Sequence, residues 1–251
     1  MNMRAFIAAL AAFGTLSAVA THHADAAEIR VIGSPGVREI SNRLVPEFEK
    51  ATGHKVSIIW DGVNNVAKRV SAGETADLVF LPAPEIGQLI TEGKLVGESR
   101  VVLATSGVGV AIRAGAPKID ASSSDGIRKA LLAAKTVAYS GGPSGVHMAA
   151  LIQKWGLADK IKLAAVPTGM PVGEVVARGD ADIGFQQISE LLPVKGIDYL
   201  GPLPADIQEV TVFAGALHKA AGPTDAARAL LKFMTAPEAV PVIRKAGMEP
   251  G

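Results

Sequence analysis

The chain has 251 residues, enough to form two modest lobes around buried cores. Hydrophobic residues make up 49% of it and charged residues 20%, which is a balance typical of soluble proteins. The net charge is only +1 and the aromatic share is 4%, so the composition lacks the basic stripe and stacking aromatics of nucleic-acid-binding proteins. There is no cysteine, so the core rather than disulfides must stabilise the fold.

The first 26 residues have the pattern of a secretory signal peptide. Arg4 gives a positive start, residues 5–20 are apolar and rich in alanine, and Ala24-Asp25-Ala26 fits an A-x-A cleavage site. The apolar run is shorter than the roughly 18–20 residues that a membrane-spanning helix needs. We therefore expect the mature chain to begin near Ala27 and to be free in the periplasm, without a membrane segment.

Strands and helices alternate through the first part of the mature chain. The predicted strands are residues 28–32, 55–60 and 77–81, and the predicted helices are residues 37–52, 66–72 and 85–92. The first of these helices has Ile40, Leu44 and Phe48 at helical spacing. This alternating order predicts a mainly parallel sheet with helices on both faces.

The pattern then repeats with additional elements. The predicted strands are residues 100–103, 109–113, 136–139, 161–166, 181–185, 197–200 and 210–216, and the predicted helices are residues 126–134, 146–155, 172–178, 224–234 and 237–246. A single doubly wound sheet does not need the last strand and the two closing helices. We therefore predict an α/β fold with two lobes, residues 27–106 plus 216–251 and residues 107–215.

Three polar, glycine- or amide-bearing turns follow predicted strands, at residues 33–36, 61–65 and 140–145. Ligands of open α/β sheets bind at the carboxyl ends of strands, where helix N-termini offer free N–H groups and partial positive charge. The alternative is that these turns are ordinary helix caps. The candidate ligand-binding residues are Ser34, Gly36, Arg38, Asn64, Asn65, Ser140, Ser144, Gly145 and Gln186. Together they predict a site for a small anion.

His147 lies one turn into the predicted helix after Ser144-Gly145, and its role has two interpretations. It is a candidate ligand contact or general base, and equally a partly buried helix residue. The sequence has no metal-ligand spacing, no phosphate-binding P-loop and no dinucleotide-binding fingerprint. We therefore predict neither a metal nor a cofactor.

The order of segments resembles the type II periplasmic binding proteins and, among them, the molybdate-binding proteins of ABC importers. The residues that carry the resemblance are Gly33-Ser34, residues 61–70, residues 73–80, Gly142-Pro143-Ser144-Gly145 and residues 175–184. The resemblance extends over nearly all of the mature chain. It implies two lobes that close on a small anion, a monomer, and delivery of the anion to an ABC permease.

The resemblance also implies site residues. It assigns an oxyanion contact to Ser34, whereas Val63-Asn64 and Phe185-Gln186 stand where the family has a second serine and a tyrosine. Amide side chains suit a carboxylate better than a bare tetrahedral oxyanion. The chain also resembles aconitate isomerases, which move a double bond within an unsaturated tricarboxylate; this implies His147 as the base. We therefore predict capture of a small anion, an oxyanion or an organic carboxylate, for ABC-type import, with isomerisation of a tricarboxylate as the alternative.

Overall fold

The computed structural model describes residues 26–166, 170–222 and 224–251, so the predicted signal peptide lies outside the described residues except for Ala26. The predicted α/β fold is confirmed. The strands are β1 (Glu28–Gly33), β2 (Lys55–Trp60), β3 (Leu78–Pro82), β4 (Val101–Arg113), β5 (Val137–Tyr139), β6 (Ile183–Gln187), β7 (Ile197–Pro202), β8 (Val210–Leu217) and β9 (Glu249–Pro250). The helices are α1 (Arg38–Thr52), α2 (Val63–Ser71), α3 (Ala83–Thr91), α4 (Ser124–Ala133), α5 (Pro143–Lys154), α6 (Val172–Arg178), α7 (Ile188–Leu191), α8 (Thr224–Met234) and α9 (Val240–Lys245).

The strands form one continuous sheet in the order β2-β1-β3-β8-β4-β6-β5, with β7 and β9 also paired with β4. β1 is parallel to β2 and β3, and β5 is parallel to β6, as expected for strands joined by helical crossovers. β8 is antiparallel to both β3 and β4. The parallel groups at the two ends of the sheet are thus joined through antiparallel pairs that involve β4 and β8.

β4 corrects the sequence prediction. Two strands at residues 100–103 and 109–113 with a break at Thr105-Ser106-Gly107 were expected, but one strand runs through all of them. The prediction was wrong because Thr105, Ser106 and Gly107 continue the ladder with β8. Residues 108–112 then pair with β6. One strand therefore belongs to both halves of the sheet.

Four other segments differ from the prediction. The predicted strand at residues 161–166 is absent, since within this segment only Leu163 forms a bridge, to Val137. Leu163 is half exposed at the edge of the sheet, so little packing favours a strand there. The predicted helix at residues 237–246 is a 3₁₀ turn (Pro237–Ala239) followed by α9. The short elements α7 and β9 were not predicted.

Each side of the point where β4 changes partners has its own principal apolar core, with a smaller cluster beside it. The first packs β1, β3 and β8 against α1, α8 and α9, and includes Phe48, Phe80 and Phe213. The second packs β4, β5 and β6 against α4 and α5, and includes Met148 and Phe185. Because each half buries its own apolar cluster, the sheet forms two lobes connected through its central strands.

The turn between β5 and α5 is packed against the start of that helix. A Cβ atom built on Gly145 would overlap the backbone carbonyl of Ser140, whereas a Cβ atom on Gly141 would meet nothing within 4 Å. The Oγ atom of Ser140 lies 3.3 Å from the Oγ atom of Ser144, which joins the two ends of the turn. The absence of a side chain at position 145 is therefore what allows the turn to close.

We predict that Gly145→Ala lowers the free energy of unfolding by about 1–3 kcal/mol or more, because the new methyl group meets backbone that cannot move aside easily. Gly141→Ala, in the same turn, is the matched control and should change stability by less than about 0.5 kcal/mol. Urea denaturation of both variants measures the difference. Equal stabilities for the two variants would contradict this packing of the turn.

Candidate functional site

A cavity of about 360 Å³, here called the first cavity, lies where the three polar turns meet. Its walls include residues from the ends of β1, β2, β5 and β6, in agreement with the expected position of a ligand in such sheets. All of the predicted ligand-binding residues line it except one: Ser34, Gly36, Arg38, Asn64, Asn65, Ser140, Ser144 and Gln186. The exception is Gly145, which is buried in α5. The structure thus brings together residues from both lobes.

Two polar groups of the first cavity have no internal partner. Ser34 is fully buried, and its backbone N–H donates to the carbonyl of Phe80 at 2.9 Å. Its Oγ atom and the buried Nε atom of Arg38 make no hydrogen bond to any described residue. An unsatisfied buried polar group costs about 1–3 kcal/mol. A ligand with acceptor oxygens at this point would remove that cost for both groups.

Arg38 is held against an aromatic ring. Its guanidinium carbon lies 5.5 Å from the centre of the Trp60 ring, within the range of a cation–π interaction. Among the described residues no carboxylate lies within 4 Å of this guanidinium. The positive charge of Arg38 is therefore stacked on a wall of the first cavity without being neutralised by an ion pair.

Two helices begin at the first cavity. α2 starts at Val63 after Gly62, and α5 starts at Pro143 after Gly142; within the described chain neither cap position makes a side-chain capping bond. At α5, Pro143 has no N–H and the Gly145 N–H donates to the Gly142 carbonyl at 3.0 Å, which leaves the Ser144 N–H. The available first-turn N–H groups of the two helices have no i−4 partner and carry partial positive charge. They add to the charge of Arg38, so the site favours an anion although it contains few basic side chains.

The turn after β2 is organised by Asp61. One of its carboxylate oxygens accepts from the Gly62 N–H at 2.7 Å and from the Asn65 amide at 2.9 Å, and the other accepts from Arg69 at 3.2 Å. The Asn65 hydrogen bond is the largest of several effects that lower the pKa of Asp61. Asn65 is thus occupied inside the turn. The exposed Asn64 side chain has no hydrogen-bond partner among the described residues and is the amide available to a ligand.

Gln186 and Gln187 both line the first cavity, but they differ in their partners. The Oε1 atom of Gln186 accepts from the N–H of Val172 at 2.8 Å, at the start of α6. Gln187 reaches between β4 and β8, where its amide oxygen accepts from the Thr211 hydroxyl at 2.8 Å and its nitrogen donates to the Ser106 carbonyl at 3.0 Å. Gln187 therefore connects the central strands β4 and β8, and Gln186 connects the end of β6 to the start of α6 at the wall of the cavity.

Glu190 is a residue of this cavity that the sequence analysis missed. It lies on α7, lines the first cavity, and accepts a hydrogen bond from the Nε2 atom of Gln186 at 3.1 Å. Burial raises the pKa of its carboxyl to about 7, against the positive charge of Arg38 and the Gln186 hydrogen bond, which both lower it. The carboxyl is thus divided between its neutral and ionised forms near neutral pH.

His147 does not line the first cavity. It lies on a second cavity of about 570 Å³ that shares Val63, Asn64 and residues 141–143 with the first. Its Nε2 atom is 2.7 Å from the carbonyl oxygen of Ile207, so this nitrogen must be the donor and is occupied. The structure therefore separates His147 from the unpartnered groups of Ser34 and Arg38.

The described part of the chain contains no cluster of three or more His, Cys, Asp or Glu side chains that could hold a metal ion. Within the same residues, no helix has both the length and the apolar character required to cross a bilayer.

The pKa of Glu190 predicts a pH effect on stability. Because its pKa is about 7 in the folded protein and 4.5 when exposed, the folded state binds more protons between these values, and stability falls as the pH rises through this window. In Glu190→Gln, the decrease in the free energy of unfolding over this pH window should be smaller than in the wild type by up to about 3 kcal/mol. Chemical denaturation at several pH values measures it. Glu47→Gln, at an exposed position of α1, should keep the wild-type dependence.

Comparisons with known proteins agree with this architecture. Residues 29–249 match the family described as bacterial extracellular solute-binding protein. A protein named aconitate isomerase from a Pseudomonas species is 36% identical over 230 residues, which cover 88% of this chain and 87% of the relative.

Two solved structures share the fold at low sequence identity. The periplasmic molybdate-binding protein of Azotobacter vinelandii superposes with a TM-score of 0.73 at 22% identity, covering 89% of this chain and 99% of that one. The sulfate-binding protein SubI of Mycobacterium tuberculosis H37Rv gives 0.70 at 18% identity, covering 89% and 87%. The fold is that of the type II periplasmic binding proteins, and the chain belongs to the family of bacterial extracellular solute-binding proteins.

Proposed function

We propose that the protein captures a small organic anion carrying carboxylate groups in the first cavity. The observation that supports this most directly is the unpartnered pair of buried groups, Ser34 Oγ and Arg38 Nε, beside two uncapped helix N-termini. A volume of about 360 Å³ lies in the range of sites for small organic molecules. The available amide of Asn64, in place of a hydroxyl, favours a planar carboxylate over a tetrahedral oxyanion.

Capture requires the lobes to close. We propose lobes formed by residues 27–106 with 216–251 and by residues 107–215; the pairing of β8 with β3 supports counting residues 213–215 with the first lobe instead of the second. The segments near residues 105–110 and 208–215 would flex between them. Closure removes water from the first cavity, which strengthens each interaction with the trapped charge.

The cellular setting of this proposal follows from the family. Residues 1–26 would serve as the signal peptide, and the mature protein would act in the periplasm as a monomer. The closed form would then deliver its anion to the permease of an ABC importer. The periplasmic molybdate-binding protein with the same fold supports this setting, and the extracellular solute-binding family is consistent with it.

A second candidate function is isomerisation of an unsaturated tricarboxylate. Two observations favour it: the 36% identical relative named aconitate isomerase, and a carboxyl with a pKa of about 7 on the wall of the first cavity. The reaction would shift a double bond by moving one proton between the two ends of an allylic system. Donors at Ser34, Arg38 and the helix N-termini would hold the carboxylates and stabilise the charge that develops.

The class of ligand can be tested by its effect on thermal stability. In a thermal-shift screen of residues 27–251, di- and tricarboxylates should raise the melting temperature more than molybdate, tungstate, sulfate or phosphate, because a tighter ligand stabilises the folded state more. Ser34→Ala should weaken the preferred ligand by about 1–3 kcal/mol, roughly 5- to 150-fold in Kd, through loss of a buried donor to a charge.

Ser57→Ala is the control for this measurement, since Ser57 is exposed on β2 away from the first cavity. Calorimetric titration of the three proteins gives the Kd values. Unchanged affinity in Ser34→Ala would remove the first turn from the site. If molybdate or tungstate alone raised the melting temperature in the screen, the result would instead support a bare oxyanion as the ligand.

His147 has its own test. Its Nε2 atom is bonded to the Ile207 carbonyl and its ring lies outside the first cavity, so His147→Gln should leave ligand affinity and any isomerisation rate within about threefold of wild type. If His147 were the base, the variant would keep its affinity and lose turnover by about 10²-fold or more. Parallel titration and product analysis of the variant distinguish these outcomes.

A further inference from the structure

We propose that Glu190 is the acid–base residue of the first cavity, taking a proton from the acidic C–H group of a bound unsaturated tricarboxylate and returning it to the other end of the allylic system. This inference rests on the proposed capture of a carboxylate anion in the same cavity. It replaces His147 in the role of base and gives the isomerase candidate a specific residue.

The position of the Glu190 carboxyl is fixed by a short chain of hydrogen bonds. The N–H of Val172 can only donate, so the Gln186 oxygen faces it and the Gln186 nitrogen faces Glu190 Oε1, at 3.1 Å. The other oxygen, Oε2, has no hydrogen-bond partner among the described residues. Because Glu190 lines the first cavity, one oxygen is held by the protein while the other remains available to a ligand.

The surroundings of Glu190 suit proton transfer in both directions. Removal from water favours the neutral acid, while Arg38 on α1 and the Gln186 amide on β6 favour the carboxylate. The balance places its pKa near 7, where a group serves as base and as acid in one cycle. Arg38 and Asp61 are the other charged side chains on this cavity within the described residues.

Asp61, the second carboxylate of the first cavity, is unsuited to the same role. Both of its oxygens are occupied, one by Gly62 and Asn65 and the other by Arg69. These contacts lower its pKa, so it is a weak base at neutral pH. Of the two carboxylates, only Glu190 combines an available oxygen with a raised pKa.

The proposed step balances without another reactant. Ionised Glu190 takes a proton from the methylene carbon, the C–H electron pair forms the new C=C bond, and the former C=C pair moves toward the adjacent carboxylate to give a dienolate. The neutral Glu190 then returns the proton to the carbon at the other end. The charge added to the dienolate lies on oxygens that Ser34, Arg38 and the N-termini of α2 and α5 would contact.

The test uses trans-aconitate as the probe, in D₂O, with the mature protein. Proton NMR follows exchange of the methylene hydrogens and appearance of the cis isomer, and calorimetric titration near pH 6 gives the Kd. We expect Glu190→Gln to reduce both exchange and isomerisation by about 10²-fold or more and to change the Kd by less than about fivefold. The exposed Glu47→Gln variant should match wild type in all three measurements.

The outcomes separate this inference from the function on which it rests. Absence of trans-aconitate binding by the wild-type protein would overturn the role of Glu190 in this reaction, whereas the capture proposal would fail only if no di- or tricarboxylate raised the melting temperature in the thermal-shift screen. Binding by the wild type without exchange would leave the capture proposal standing and overturn the role of Glu190. Exchange at the wild-type rate in a folded Glu190→Gln variant would also overturn it, while loss of exchange with binding retained would support it.

Discussion

The arrangement of the first cavity depends on β4 pairing with different strands along its length. Residues 101–107 pair with β8 and residues 108–112 with β6, so one strand joins the two cores. At the change of partners, the Gln208 side chain accepts from the Val108 N–H at 2.8 Å and donates to the Val108 carbonyl at 3.0 Å. Val108 pairs with β6 on one side, and on the side where β8 no longer pairs this amide takes the place of a strand neighbour. The Gln208 side chain therefore stabilises β4 at the point where a hinge between the lobes would flex. The polar turns of the two lobes face each other across this point.

The first cavity attracts anions mainly through backbone groups and carries one stacked arginine. Fixed N–H groups at helix N-termini need no reorganisation when a charge arrives, whereas long basic side chains lose conformational freedom on binding. Arg38 is held by Trp60 and Ser34 by its bond to Phe80, so the principal donors are also placed in advance. This preorganisation serves a binder by lowering the cost of association, and it serves an isomerase by stabilising a charge that develops on carboxylate oxygens.

The sequence predicts the parts of the site that follow from strand-then-turn patterns. Ser34, Ser140 and Ser144 come after strands, and parallel strands bring their carboxyl ends to one edge, so their convergence follows from topology. Glu190 could not be found in this way, because α7 has four residues and no periodicity reveals it; the only signal was a charge within an apolar segment. Likewise, Thr105-Ser106-Gly107 has the composition of a turn. It forms part of β4 because it pairs with β8, and this long-range pairing is not visible in the local sequence. Gly145 resembled a ligand contact, whereas its packing against Ser140 appears only in three dimensions.

The protonation of Glu190 connects capture with chemistry. An anion beside this carboxyl disfavours its ionised form, so binding raises its pKa further and favours uptake of a proton. The neutral acid donates a hydrogen bond to the ligand, which suits retention of an anion during transport. Proton abstraction needs the ionised form, and the charge of Arg38 is what keeps that form accessible when the ligand is bound. The same fold and the same donors are thus compatible with a carrier and with an isomerase, and in the proposed mechanism proton abstraction depends on the ligand-bound pKa of this one carboxyl.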